Sequence, residues 1–408
     1  MTRADVVVVG AGALGLSTAL HCALLGLQVV VVERDTAGSQ ASGRAAGLFK
    51  SVQADELRTV IARRSIRRAT EFGQWAGQPL DVVASGSFLV ARTPQHQAYL
   101  QAEQRQSASW GADVSVAPPG ALSRQVSYYA GDGAELALWC PEDIYIEEPL
   151  ALVRALAAAC ARHGVELAES EPVTEVTLSR GAVDGVGTPA RTIRAPVVVD
   201  AAGAWVRQVA ELAGASVALA PVRHQLLITA PVAGLDPAQP IVRVVDAAVY
   251  LRPARGGLMF GGFEAGPLPA DPRALPPSWR TADLELDAGV LTGMAAAVTA
   301  EVPLVAGLEV AGPQVAEHRG GLFTMSPDGR FVTGPVPGVP GLWVASGCNG
   351  SGFSSSLGLG EALAGWICDK PGRLDITALA PGRFAPLSDD ALVAAGVWQY
   401  AHYYDPAA

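Results

Sequence analysis

The sequence predicts an α/β protein: a discontinuous Rossmann-like nucleotide-binding domain with an inserted α+β domain built on an antiparallel sheet. Three observations carry this reading. A strand, glycine-triplet, helix, strand and acid follow one another from Asp5 to Glu33. A second β-branched run, Pro196 to Ala201, returns far along the chain and leads into Ala-Ala-Gly. Between Pro221 and Glu317 lie several short strand-like runs, HQLLIT, AAVYLRP and GLMFGGF, separated by Pro and Gly clusters.

Val6 to Val9 is an unbroken β-branched run, the pattern of a strand buried on both faces of a parallel sheet. Gly10, Gly12 and Gly15 follow at once. The first glycine allows a tight turn, the second lets backbone approach a pyrophosphate, and the third lets the next helix pack closely on the strand. That helix is expected from Ala13 to about Leu25, with Ala13 and Leu14 at the start, where free N–H groups and the positive dipole end favour phosphate. Gly26 stops it, Val29 to Val32 makes the second strand, and Glu33 ends that strand where a carboxylate accepts hydrogen bonds from a ribose. The stretch Ala4 to Val32 is long and apolar, but its glycines and two valine runs do not suit a spanning helix, so a membrane span is rejected.

With 408 residues, half of them hydrophobic, the chain can form two domains or one large split one. Its formal net charge of -10 argues against a nucleic-acid partner or an anionic membrane surface. The N-terminus shows no basic stretch with a cleavage site, and the first strand begins close to Met1, so a cytoplasmic location is expected. The five cysteines, Cys22, Cys140, Cys160, Cys348 and Cys368, contain no C-x-x-C pair, and the histidines lack metal-ligand spacing, so no metal is expected. Only Cys348 sits where chemistry could reach it.

After Glu33, the small, glycine-rich stretch Gly38 to Ser51 reads as a binding loop. Asp55 to Gly77 reads as a surface helix whose Arg63, Arg64, Arg67 and Arg68 form a solvated face. Val82 to Ala91 alternates like a strand, and Pro94 to Gly111 reads as a helix before the break at Pro118 to Gly120. An alanine-rich helix is expected over Glu148 to Gly164, followed by strands at Val165 to Ala168 and Val173 to Leu178. Leu342 to Ile367 is again strand, glycine-rich turn and helix. Two such turns in one chain suit a long dinucleotide.

These motifs together resemble the D-amino-acid-oxidase-like flavoproteins, the group holding glycine oxidase, sarcosine oxidase and the sarcosine and dimethylglycine dehydrogenases. The resemblance spans nearly the whole chain: GAGALG with Glu33-Arg34, ASGRAAGL, VVVDAAGAW, SPDGRFVTGPV and GLWVASGCNGSGFSSSLGLGEALA. It implies FAD bound by a domain formed from residues 1–84, 144–220 and 325–376, a substrate domain from 85–143 and 221–324, and a tail, 377–408, packing on the FAD domain. Glu33 and Arg34 would lie at the adenosine, with Val173 backbone near the adenine. Ala41, Ser42, Arg44, Ala45, Gly47 and Leu48 would line the diphosphate or flavin side, and Ala202, Gly203 and Trp205 would follow the returning strand. Backbone N–H groups at Asn349, Gly350, Ser351, Gly352 and Phe353 would face the flavin N1 and C2 carbonyl, where a helix start favours the negative charge of the reduced ring.

The departures matter as much. The resemblance puts Arg44 and Gly321 where relatives carry the histidine or cysteine that attaches FAD, so noncovalent FAD is expected. The two arginines that hold the carboxylate in glycine oxidase fall on Phe323 and Gly350. Lys50 aligns with a carboxylate-binding arginine of sarcosine oxidases and can serve as a point charge, or else is a solvent-facing loop lysine. Tyr250 and Arg252, two apart on an expected strand, leave the same face, to orient a substrate and pair with an acid if that face overlooks the flavin. His224 aligns with an active-site-facing residue, against the commoner structural histidine. A lysine placed near the flavin in sarcosine oxidases falls on Met259, which points toward an acceptor other than oxygen.

The expected activity is FAD-dependent oxidation of a C–N bond in an amino acid or N-alkyl amino acid, with hydride passing to flavin N5 and the imine hydrolysing. The expected partners are a small amine-bearing substrate and oxygen or another electron acceptor. The chain ends where the longer relatives continue into a folate-binding domain, so no folate-linked step is expected. Two alternatives stay open: a 2-hydroxy acid or biosynthetic intermediate as substrate, which would need a base such as His224, or a noncatalytic FAD-binding subunit.

Overall fold

The computed structural model describes residues 2–131, 135–370, 372 and 374–405. The valine run at Val6–Val9 is fully buried and pairs in parallel with Val29–Val32 on one side and Val197–Asp200 on the other. Glu166–Ala168 adds beyond Val29–Val32, while Leu342–Ser346 and then Val332–Pro335 add beyond Val197–Asp200, making a six-stranded sheet. Only the last pairing, Val332–Pro335 with Leu342–Ser346, is antiparallel. The returning run therefore does join the edge of the first strand, and the helices Ala13–Leu24, Pro149–Arg162 and Gly352–Ile367 cover one face. Gly26, at φ +95, turns the chain out of the first helix.

The second large sheet has eight strands in the order Val315–Met325, Ala220–Thr229, Gly257–Gly262, Val249–Ala254, Ile241–Val244, Ser87–Ala91, Leu136–Cys140 and Ser115–Val116. It is antiparallel except where Ile241–Val244 runs parallel to Ser87–Ala91. The segment expected to alternate over Val82 to Ala91 does not: only Ser87–Ala91 is strand and all five residues are buried. Phe88 and Val90 pack into one apolar cluster and Leu89 and Ala91 into another, so the strand has no solvent face to be polar on.

Two further expectations are corrected. The helix expected over Asp55 to Gly77 breaks at Glu71 into Glu56–Thr70 and Phe72–Ala76. Its arginines are not all a solvated face: Arg64 and Arg68 both grip Glu361 on the Gly352–Ile367 helix, and Arg63 forks onto Glu142 at 2.8 and 2.9 Å. Gly358 lets the two helices approach, since a Cβ there would stand 2.6 Å from the Ile61 carbonyl. The C-terminal segment divides. Residues 377–383 lie against Val332–Pro335, and the Asp389–Ala401 helix packs where Ala220–Thr229 and Val315–Met325 meet the nucleotide domain, with Asp389 paired to Arg207 and Gln399 Nε2 donating to the Pro327 carbonyl at 3.1 Å. Gly396 is the contact point, facing Ala220 and Met325.

Candidate active site

The glycine triplet builds one end of a cavity of about 800 Å3. Gly15 lies so near the turn that a Cβ would meet the Gly10 carbonyl at 2.1 Å, and one on Gly10 would meet the Ala201 carbonyl at 2.6 Å. The helix start is thus pressed onto two strand ends, which opens its first N–H groups to the cavity. Ser42 Oγ accepts from the Ala13 N–H at 3.0 Å and ties the binding loop to that helix start. Glu33 accepts from the Ala11 and Asp35 N–H groups at 2.8 and 2.9 Å. Burial still raises its carboxyl above the usual range against these two bonds.

From this end the cavity runs under the loop Arg44–Gly47 to the antiparallel sheet. Two arginines of that sheet hold the loop from below. Arg319 Nη2 donates to the Ala45 carbonyl at 2.9 Å, and Arg252 Nε donates to the Ala46 carbonyl at 3.0 Å. Arg252 is completely buried, its other bonds going to Pro253 O, Glu147 O and the Glu147 carboxylate. It does not line the cavity, so the expected pairing of Arg252 with a substrate acid is corrected. Tyr250 and Arg252 do share a face, but the loop covers the face at Arg252 and leaves it open at Tyr250.

At the sheet end, His224 lies between two phenols: Nε2 to Tyr250 Oη at 2.9 Å and Nδ1 to Tyr400 Oη at 2.7 Å. Phe323 stacks on its ring at 4.2 Å. Burial alone drives its pKa from 6.5 to about 3, so the imidazole is neutral, one nitrogen donating and the other accepting. Phe263, stacked on Tyr403 at 3.9 Å, and Tyr404 complete an aromatic wall. Lys50 reaches the same end, 3.7 Å from Glu103 and over the Tyr404 ring. Burial pulls its ammonium down, but Glu103 and the surrounding phenols hold it up on balance, so it stays charged.

A segment of the second domain, Pro272 to Thr281, roofs the opposite end, beyond Glu33. Arg280 Nε bonds Asp35 at 2.7 Å, Arg34 Nη2 bonds the Trp279 carbonyl at 2.9 Å, and the Thr281 N–H bonds Gln40 Oε1 at 2.9 Å. Arg34 also lies over the Trp205 ring at 4.0 Å.

The site accommodates a long anionic dinucleotide on its own evidence. Among the described residues Arg44 Nε and Arg319 Nε are buried without a partner, both residues line the cavity, and burial together with the opposing Arg319 charge lowers the Arg44 pKa. The description FAD dependent oxidoreductase (DAO) matches residues 5–366. The chain belongs to this DAO family of FAD-dependent oxidoreductases. Its cofactor is FAD. The oxidoreductase is 28% identical to mitochondrial dimethylglycine dehydrogenase of Rattus norvegicus over 391 residues, covering 94% of this chain but 45% of that protein. The chain thus spans a little under half the length of that relative. It is 27% identical to glycine oxidase of Pseudomonas aeruginosa over 395 residues, covering 92% of this chain and 98% of that one. The fold matches L-proline dehydrogenase from P. horikoshii with a TM-score of 0.83 at 21% identity, over 94% of this chain and 98% of that one.

Of the oxidoreductase residues expected at FAD, all but Asn349 line the cavity. The Asn349 N–H is spent on the Thr324 carbonyl at 3.1 Å and the Ser351 N–H on the Cys348 carbonyl at 2.7 Å, which corrects the expectation for those two backbone groups. The Asn349 side chain donates to Gly347 O and Arg330 O and accepts from the Ser326 N–H, so Asn349 shapes the loop while Gly350 through Phe353 line the cavity. Lys50, His224 and Tyr250 do line it. Met259 does not: it packs with Leu226, Ile228 and Ala254, so it carries no information about charge beside the flavin. The sequence reading missed Arg243, Arg319, Phe263, Tyr403, Tyr404 and the roof segment. Among the described residues no helix is long and apolar enough to cross a membrane, and no group of three metal-binding side chains occurs.

The roof yields a prediction. Because it is pinned by partly exposed ion pairs, Arg280→Ala should speed FAD release a few-fold at low salt, with little difference from the parent at high salt. Recovery of free-FAD fluorescence after dilution measures this; equal release rates at low salt would refute it.

Proposed function

We propose that the protein is an amine oxidoreductase that oxidises the C–N bond of a small amine, N-alkyl amino acids foremost, with FAD held noncovalently. When bound, FAD supplies the two-electron acceptor. The observation that carries the choice of an amine is the closed state of His224. A 2-hydroxy acid needs a base for its hydroxyl proton. At this end of the cavity His224 has both nitrogens engaged and a pKa near 3, Lys50 stays protonated, and the Tyr250 phenol is pushed up by burial. None takes a proton near neutral pH. An amine entering neutral needs no such base, and the aromatic wall of Tyr250, Phe263, Phe323 and Tyr403 excludes water while the Tyr250 oxygen orients the nitrogen. The noncovalent cofactor follows from Arg44 and Gly321 standing where a histidine or cysteine tether would be required.

The deciding experiment is anaerobic bleaching of the flavin band by N-methyl amino acids, D- and L-amino acids and 2-hydroxy acids, followed by air. Bleaching by an N-methyl amino acid alone is expected, and slow recolouring would indicate an acceptor other than oxygen. Bleaching only by hydroxy acids would overturn the reading.

Protonation also bears on stability. His21, buried against the Ser17 carbonyl, is lowered by burial from 6.5 to about 4, and His224 from 6.5 to about 3. Each is neutral when folded but binds a proton when unfolded below pH 6.5. Stability is therefore full above that pH and falls as acid is added, by about 1.4 kcal/mol per pH unit for each histidine, down to the folded pKa. Urea midpoints measured between neutral pH and pH 4 check this: a His224→Gln variant should flatten the acid limb, and an unchanged slope would count against the assignment.

A further inference from the structure

Arg243 is not among the residues that the motifs point to, yet it stands directly across from Tyr250 in the Ile241–Val244 and Val249–Ala254 pairing and lines the same cavity. Cross-strand partners leave one face of a sheet, which puts its guanidinium beside the phenol that faces the substrate end. The side chain is buried, and only Nη1 is spent on protein, donating to Ser87 Oγ at 2.9 Å and to Asp143 Oδ2 at 3.0 Å. Among the described residues Nε and Nη2 have no hydrogen-bond partner, and neither stands among the fully buried unpartnered side-chain atoms, so both remain open on the cavity that Arg243 lines.

Asp143, by contrast, is saturated. Its Oδ1 accepts from the Ser51 N–H at 2.7 Å and from Ser51 Oγ at 2.5 Å, and Oδ2 accepts from Ser87 Oγ at 2.6 Å as well as from Arg243. This buried pair fixes the backbone at Ser51 and thereby the adjoining Lys50. Lys50 in turn stands 3.7 Å from Glu103, beyond hydrogen-bond distance, so its donors are also unspent. Both cations act on the Tyr404 phenol, which places them at one end of the cavity. Phe323 and Gly350 bring no side-chain cation to the cavity, and a Cβ on Gly350 would already stand 3.3 Å from the Phe323 ring and 3.5 Å from Phe263.

We propose that Arg243, with Lys50 beside it, binds the carboxylate of the substrate and so determines specificity for amines that carry an acid. This rests on the amine reading above. Because each cation already has an anionic partner, discrimination comes from directed N–H groups, and the planar guanidinium fork is the part a lysine cannot reproduce. Arg243 touches no reacting bond in this scheme; it positions the substrate by its far end.

The test uses the FAD-loaded protein and Arg243→Lys, which keeps the charge facing Asp143 and so should fold. Acetate titrated against the flavin spectrum reads the anion site without turnover. N-methylglycine and its uncharged amide read the same site during reduction. Acetate should bind the parent, and Arg243→Lys should weaken that binding about 10- to 100-fold, the range for one hydrogen bond to a charged group. The parent should also prefer the acid to the amide by KM, with the variant narrowing that ratio while the maximal rate changes little. Equal acetate binding by both proteins, or a parent that handles acid and amide alike, would overturn the assignment while leaving the amine reading intact. Acetate binding weakened in Arg243→Lys without bleaching by any amine would instead keep the anion site and reject the amine.

Discussion

Gly15→Ala should produce a protein that retains its antiparallel sheet but takes up no FAD. The added methyl would stand 2.1 Å from the Gly10 carbonyl and 3.2 Å from Ala201 Cβ, and the first of these is backbone at a turn that Gly10, at φ +106, already requires. No flexible side chain can yield. The Ala13–Leu24 helix must therefore back away from the strand ends, at about 1–3 kcal/mol for the overpacking itself. The larger effect falls on the cofactor, because the helix N-terminus and the Ser42 bond to Ala13 move together. FAD affinity should drop by at least about 100-fold, the effect of displacing charge-directed donors. The ratio of flavin to protein absorbance after purification, with circular dichroism showing a folded chain, measures both parts. A yellow Gly15→Ala protein would exclude this account of the turn.

The second large effect belongs to Arg252→Met. The guanidinium is completely buried and serves Ala46 O, Glu147 O, Pro253 O and the Glu147 carboxylate from one position. Methionine fills much of the volume but leaves the Ala46, Glu147 and Pro253 carbonyls without that donor, while the part-exposed Glu147 carboxylate turns to solvent, so a loss of about 3–5 kcal/mol is expected from the three carbonyls together. Burial itself disfavours the Arg252 charge, which marks the residue as one that the fold must hold in place. The loop Arg44–Gly47 would lose one of its two arginine supports, so flavin loss should precede global unfolding on heating. A single transition in which flavin release and unfolding coincide, at the parent temperature, would contradict this. Because Arg252 touches neither cofactor nor substrate, KM for a good substrate should change little in protein that remains folded.

The contrast between Tyr250 and Arg252 shows how far the sequence could be read. A period of two puts both on one face, and both are on it. Where that face passes beneath a loop depends on a segment about two hundred residues earlier, which no local pattern reports. The nucleotide end was legible because its signals are local: an unbroken valine run, glycines at positions without room for Cβ, and an acid at the next strand end. The sheet end of the cavity is built from distant strands brought into register, so no motif marks Arg243, and only the pairing places it beside Tyr250. Tyr403 and Tyr404 lie in the turn that follows the Asp389–Ala401 helix, whose pattern does not say which sheet it covers. Ser87–Ala91 misled for a related reason, since a strand covered on both sides loses the alternation used to recognise strands.

The neighbours of the Val6–Val9 strand have a consequence in time. One of them, Val197–Asp200, is itself bordered by Leu342–Ser346, and the turn after that last strand supplies Gly350 to Phe353 to the cavity. A ribosome delivers the first strand early and the last one on the order of tens of seconds later. Throughout that interval the glycine turn exists without the wall that completes it. The nascent chain must therefore keep an apolar edge waiting for its partner, and the vitamin-derived cofactor meets a finished site only after Gly350 to Phe353 have been made, so flavin uptake waits on a segment far in sequence from the glycine turn it completes.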